Sequence, residues 1–394
     1  MVKSEKVIVS WLMLSAVLLT VGCSDDSDER TASGSSASIE LVPYASSYTE
    51  VDPLFGATRG ENTWIPSGYL PYSRLTGVSG VLMPNDQAQI SVYFTQDDQE
   101  PLPRRFQHPS KWRIDQEVES AGDYYLYGFV PSSAAIPNIA PNNTYSNGAE
   151  LTLRGLNSVM TQDLCVIVGA KHGSIVEEDP VPAVSPMQTG DFLCHINAGE
   201  QKNYVFLLFD HLYAALRFRF RVADKYADLR TIKLKKLELL AFQDEACLHR
   251  MSQKVQTTVT LRKTNGTSPI VSVSNFITDN TTTGGSDPMD WAVIYDNESE
   301  PITLPSGSTY TDNIGFVPKT SSFYLLRSTY DVYDKQKNLV REDCVAENKI
   351  DPRKQFLKEQ LDRGYMYTLK FTVNPTYLYV LSEPDLDNPT MVLE

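Results

Sequence analysis

The run Leu216-Arg217-Phe218-Arg219-Phe220-Arg221-Val222 alternates apolar and cationic residues without a break. Successive side chains of a strand point to opposite faces, so this pattern buries one face and leaves the other wet. No helix sorts the same residues onto one side. Related patterns recur over residues 89–94, 123–131, 151–153, 164–168, 232–239, 255–261, 323–332, 365–373 and 377–381. A shift at Lys235-Lys236 reads as a β-bulge. The 23 Pro and 21 Gly supply turn chemistry between these segments. Many short period-two segments separated by turns predict an all-β fold of sandwich type. Helix is expected only at 224–229, as a single turn, and at 352–364. There Pro352 stands near the start, Phe356, Leu357, Gln360 and Leu361 share a face, and Gly364 closes the segment.

A chain of 394 residues has room for two domains. The strand-rich part divides into 60–203 and 204–394. In front of it, residues 1–22 have Lys3 and Lys6 and then an apolar run too short to span a bilayer, which reads as a secretory signal. Leu19-Thr20-Val21-Gly22-Cys23 resembles the lipobox of bacterial lipoproteins, in which the thiol is acylated. Each buried acyl CH₂ contributes about 0.8 kcal/mol, so a multiply acylated Cys23 holds a soluble domain on a membrane. Asp25, Asp26, Asp28 and Glu29 follow, then a Ser/Gly linker. Residues 39–44 (Ile39, Glu40, Leu41, Val42, Pro43, Tyr44) are strand-like, with a proline that suits an edge. The Arg59-Gly60 bond lies beyond them in a polar, Gly-containing stretch where a trypsin-like protease has access. The segment 23–59 therefore reads as a propeptide carrying a removable strand built on Ile39, Leu41 and Val42. Arg30 is a second possible cut, but cutting there leaves that strand in place.

The net charge of −14 argues against nucleic acid as a partner. The five His show no i, i+4 pair, and no nucleophile elbow, phosphate loop or dinucleotide fingerprint is present. Beyond Cys23, the thiols Cys165, Cys194, Cys247 and Cys344 are widely spaced and leave three disulfide connectivities open. Cys165 sits in an apolar run and reads as a buried free thiol. His211 follows Asp210, but without a recognisable nucleophile it reads as a structural hydrogen-bonding residue. No enzyme, cofactor or metal is predicted.

Taken in order, the lipobox, Arg59, the stretch from Phe206 to Phe218 with its core Phe209-Asp210-His211-Leu212-Tyr213, the strand at 232–239, the aromatic run at 123–131 and the ending Asn374-Pro375-Thr376-Tyr377-Leu378-Tyr379-Val380-Leu381 resemble the fimbrillin-like family of type V pilins. The resemblance covers roughly 39–394. It implies two transthyretin-like β-sandwich domains in tandem and a lipoprotein precursor at the outer membrane. It also implies an Arg-specific protease, other pilin subunits as partners, and a place in a cell-surface fimbrium serving adhesion. The other class to carry is a non-polymerising surface lipoprotein, or a tip or anchor adhesin, that binds a glycan or another host or bacterial surface ligand.

Strand exchange needs a donor. Tyr367, Leu369, Phe371 and Val373 lie on one face of a strand, and Tyr377, Tyr379 and Leu381 do so after the Asn374-Pro375 break. These seven are the expected donor face for a neighbouring copy. The competing expectation is that the same residues finish their own C-terminal sandwich.

Overall fold

The computed structural model describes residues 38–51, 65–71, 89–107, 112–113, 121–176, 179–182, 186–197, 203–243, 254–263, 270–278, 291–378 and 383–393. Cys23, Arg30, Arg59, Gly60, Cys247, Tyr379 and Leu381 lie outside them. The described chain opens with β1 (Ile39–Ser46) and β2 (Thr49–Val51). Then come β3 (Tyr69–Pro71), β4 (Gln89–Thr95), β5 (Leu102–Gln107), β6 (Trp112–Arg113) and β7 (Gly122–Val130). The hairpin of β8 (Ile136–Asn142) and β9 (Thr144–Asn157) turns at Asn143, whose φ of 64° is a left-handed conformation that Asn tolerates. Next are β10 (Cys165–Val176), β11 (Asp179–Pro182), β12 (Leu193–Ile196) and β13 (Asn203–His211). Past Leu212 and Tyr213 run β14 (Ala214–Val222), α1 (Asp224–Ala227), β15 (Thr231–Phe242), β16 (Lys254–Arg262) and β17 (Val271–Ile277). The chain continues through β18 (Ala292–Asp296), β19 (Ile302–Thr303), β20 (Thr311–Val317), β21 (Phe323–Tyr333) and β22 (Leu339–Ile350). It ends with α2 (Pro352–Phe356), β23 (Tyr365–Leu378) and β24 (Glu383–Leu393).

The fold is all-β, as the alternation predicts. The largest sheet runs β11-β10-β13-β1-β6-β5-β4-β7-β12, with β3 also on β1. A further pairing of β10 with β7, through Cys165↔Val130 and Val166↔Phe129, closes it into a barrel. Inside the closure lie Ile39, Leu41, Phe94, Leu126, Ile167, Leu207 and other residues drawn from this sheet alone. Its outer face, with Phe129, Val166, Phe206 and Leu208, packs on the four-stranded sheet β17-β16-β9-β8 through Leu151, Leu153, Val259 and Leu261. Residues from both sides of position 203 share that four-stranded sheet, and β13, which starts at Asn203, belongs to the barrel. The chain leaves the barrel at Leu212 and Tyr213. In the second layer pair, the sheet β2-β23-β14-β20, with β24 on β23 and β2 contributed by the N-terminal segment, faces the sheet β18-β15-β21-β22. Phe218, Phe220, Leu237, Leu326, Leu369 and Phe371 fill the space between them.

Local expectations meet the structure unevenly. The shift at Lys235-Lys236 is a bulge: the β15–β21 register slips between Leu234 and Lys236. The helix expected over 352–364 is only Pro352–Phe356, because Leu357 turns into the left-handed region at φ 55°. The acidic C-terminal stretch forms β24 and buries Met391.

Candidate functional site

β1 is not an edge strand. On one side it pairs in parallel with β13 from Ile39↔Asn203 to Ala45↔Phe209. On the other it meets β6 at Glu40 and Leu41, and β3 from Tyr44 to Ser46. Pro43 falls in the interval where β1 has a partner on only one edge, which explains how a residue without an N–H is accepted inside a sheet. Ile39, Leu41 and Ala45 point into the barrel, while Val42 and Tyr44 pack against the outer core. Both faces are apolar because both are covered. β2 then crosses into the second sandwich and lies parallel to β23 from Thr49↔Tyr365 to Val51↔Tyr367. One segment of fourteen residues thus closes a barrel and extends a second sheet.

Its junction, between Ser46 and Glu50, is held by buried polar groups. The Tyr48 hydroxyl donates to Asp163 Oδ1 at 2.8 Å, and its ring stacks on the His211 imidazole with centroids 3.7 Å apart. His211 Nδ1 lies 2.7 Å from Asp163 Oδ2, and its Nε2 lies 2.5 Å from the Ser46 carbonyl oxygen. Cys165 Sγ is 3.3 Å from His211 Nδ1. Glu50 Oε1 approaches the guanidinium of Arg217 at 3.3 Å, and Arg217, only 3% exposed, also faces Asp312 at 3.4 Å. Further anchors are main-chain bonds from Ser47 to Gly68, from Thr49 to Gly364 and from Asn203 to Ser38.

Burial pushes the Tyr48 phenol and the Cys165 thiol well up, and the neighbouring Asp163 carboxylate pushes in the same direction. For His211 burial works to lower the pKa, but the charge and hydrogen bond of Asp163, together with the Ser46 carbonyl, outweigh it and the net shift is upward. Protonation at Nδ1 makes a charge-assisted pair with Asp163, and Nε2–H donates to Ser46. The adjacent Asp210 is not the partner. It sits on the opposite face of β13, where it accepts from the Tyr69 hydroxyl at 2.5 Å. Asp163 and Tyr48, which the sequence reading did not single out, are the groups that engage His211. Asp163 stands in the irregular stretch just before β10, so strand periodicity carried no signal for it.

The expected removable strand Ile39, Leu41 and Val42 lies in β1. Four of the expected donor residues are placed elsewhere than on a free face. Tyr367, Leu369, Phe371 and Val373 are at most 2% exposed and fill the core of their own sandwich. The reason is the parallel ladder of β14 with β23, which sets Phe371 beside Phe220 with ring centroids 5.1 Å apart. Tyr377 is in the β23–β24 hairpin ladder, opposite Pro384. Cys165, Cys194 and Cys344 are buried free thiols. Away from the segment, a surface cavity of about 300 Å³ is lined by Tyr125, Lys171, Asp191, Phe192 and Lys263 among others. Among the described residues no helix is long and apolar enough to cross a membrane.

No family model and no curated protein matches the chain. Among solved structures it is similar to a candidate cell adhesion protein of Bacteroides fragilis, at 12% identity and a TM-score of 0.37 over 90% of this chain and 97% of that one. It is also similar to a fimbrial protein of Bacteroides vulgatus, at 12% identity and TM-score 0.31, covering 91% and 98%. A third is the fimbrial anchor protein Mfa2 of Porphyromonas gingivalis, at 10% identity and TM-score 0.25, covering 90% and 95%.

Proposed function

We propose that this chain is a structural subunit of a type V pilus, a fimbria for cell adhesion on the bacterial surface. In this reading it is exported as a lipoprotein acylated at Cys23 and held at the outer membrane. It matures by Arg-specific cleavage at Arg59-Gly60 and polymerises by strand exchange. The observation that carries the reading is the placement of residues 38–51. The segment is continuous, lies upstream of Arg59 and fills an internal position of the barrel. Its loss leaves one edge of β13 unpaired from Asn203 to Phe209, with β10 still on the other edge, and uncovers apolar faces on both sides. Unpaired strand edges of this kind are templates for another chain. A head-to-tail contact does not close, so it yields a filament. The donor in this reading comes from the part of the C-terminal segment beyond Asn374; the residues before it fill their own core, and Tyr377 has to leave its ladder with β24 to serve. Two sandwich domains are kept, but not a single cut at 203/204, since β16 and β17 pack with the barrel and β2 pairs with β23.

The cavity beside Tyr125 and Lys171 favours the second reading, a surface lipoprotein or tip or anchor adhesin that binds a glycan or surface ligand without polymerising. The N-terminus of the protein taken from the cell surface separates the two. Gly60 is expected for a polymerising subunit. An acylated Cys23 overturns cleavage and leaves residues 38–51 as a permanent part of the fold.

A further inference from the structure

Asp163 lies just before β10, two residues ahead of Cys165, the first residue of that strand, and His211 is the direct cross-strand partner of Cys165. Two side chains at i and i+2 and a third from the adjacent strand converge on one point. Their ligand atoms all lie within 4.8 Å of one another. We propose that Asp163 Oδ2, Cys165 Sγ and His211 Nδ1 form a three-ligand site for a zinc-class divalent cation.

The donor set suits such an ion. One imidazole, one thiolate and one carboxylate are the three ligand types zinc takes in proteins, and two anionic ligands neutralise its charge in a buried place. His211 is oriented for it: Nε2 donates to the Ser46 carbonyl, which leaves Nδ1 directed at the other two ligands. The edges of the triad are 2.7 Å from nitrogen to oxygen and 3.3 Å from nitrogen to sulfur. Tetrahedral zinc with Zn–N and Zn–O near 2.0 Å and Zn–S near 2.3 Å needs edges of about 3.3 and about 3.5 Å. One carboxylate oxygen therefore has to withdraw by roughly half an ångström on loading. Tyr48, from the segment that also fills the barrel, donates to the other oxygen of Asp163 and stacks on the His211 ring. Binding releases the Cys165 thiol proton and any proton on Nδ1, so loading strengthens as pH rises. A buried site of this kind fills during folding and links the ion to stability.

The test uses the full chain in detergent, stripped with a chelator and reloaded with Zn²⁺ or Co²⁺ alone. About one equivalent per chain is expected to survive gel filtration. The cobalt form should show thiolate-to-metal charge transfer in the near ultraviolet, and the zinc form a raised Tm. X-ray absorption at the zinc edge should give one sulfur and two or three nitrogen or oxygen neighbours, a readout that needs no variant. Cys165→Ser, with fold checked by far-UV circular dichroism, should abolish the charge-transfer band. Failure to retain metal, a shell without sulfur, or a band that persists in Cys165→Ser overturns the site. The triad is then a hydrogen-bonded imidazolium–carboxylate pair with a thiol beside it. None of these outcomes depends on whether the chain polymerises.

Discussion

At the residue scale, single atoms decide what the junction tolerates. Tyr48 presents a ring to His211 and a hydroxyl to Asp163. Tyr48→Phe keeps the ring and leaves Asp163 Oδ1 without its donor, so it should cost about 1–3 kcal/mol in denaturant unfolding. A cost near zero would mean that water replaces the hydroxyl and that the junction is wetter than its burial implies. Gly128 shows a different constraint. A Cβ there would stand 2.0 Å from the Ser91 carbonyl oxygen of the neighbouring strand, where β4 and β7 pair. At Gly315 the nearest atom is the Ile294 Cδ1 methyl, 3.0 Å away, which can rotate aside. Gly128→Ala should therefore destabilise by about 1–3 kcal/mol or more and clearly exceed Gly315→Ala in the same assay.

At the scale of elements, a short helix shows how a local signal is cut off by its surroundings. Asp351 caps α2: its carboxylate accepts from the Arg353 N–H at 3.1 Å, and Gln355 Oε1 accepts from the Asp351 N–H at 2.9 Å. Arg353 adds a side-chain fork on the same carboxylate, at 3.1 and 3.3 Å. Burial pushes the Asp351 pKa up, but the Arg353 hydrogen bonds and charge win and the group is held below the usual carboxylate value. A depressed carboxylate contributes stability that is present above its unfolded pKa of about 3.9 and is lost as pH falls through the folded value. Asp351→Ala should cost about 0.5–2 kcal/mol at pH 7. The gap between variant and parent should close below pH 4, as urea midpoints across that range would report. A gap that stays constant with pH would assign the cost to packing.

At the scale of the whole molecule, the segment 38–51 joins parts of the chain far away in sequence: β13, β23, Arg217 and the Asp163–His211 pair. If it is removed and replaced, a peptide of that sequence should compete for the vacant position. Added in excess to freshly cleaved protein, it should shorten or abolish filaments seen by electron microscopy. A peptide carrying both Tyr48→Phe and Glu50→Gln should be a weaker competitor, because it lacks the groups facing Asp163 and Arg217. Equal potency of the two peptides would show that main-chain pairing alone holds the segment. Failure of both would count against strand replacement itself.

The sequence alone marked many of the strands and the apolar face of each, but not β5, β8, β17, β20, β22 or β24, nor the burial of Arg217 on a face expected to be wet. Period-two patterns such as 216–222 and 232–239 state which side chains go inward, down to the bulge at Lys235-Lys236, because alternation is a local property of an extended backbone. They do not state which strand lies beside which. That β1 is internal rather than an edge, with β13 along its whole length, follows from closing the barrel over more than 160 intervening residues. Asp163 as the partner of His211, where the adjacent Asp210 looked the obvious one, likewise needs the β10–β13 register. The same holds for Tyr367, Leu369, Phe371 and Val373. An apolar strand face reads alike whether it fills its own core or another chain's, and only the β14–β23 pairing puts these four inside their own sandwich. The physical reason is common to all three cases. A residue's own chemistry sets how strongly it wants burial or a partner, whereas the identity of that partner is fixed by long-range closure of the sheets.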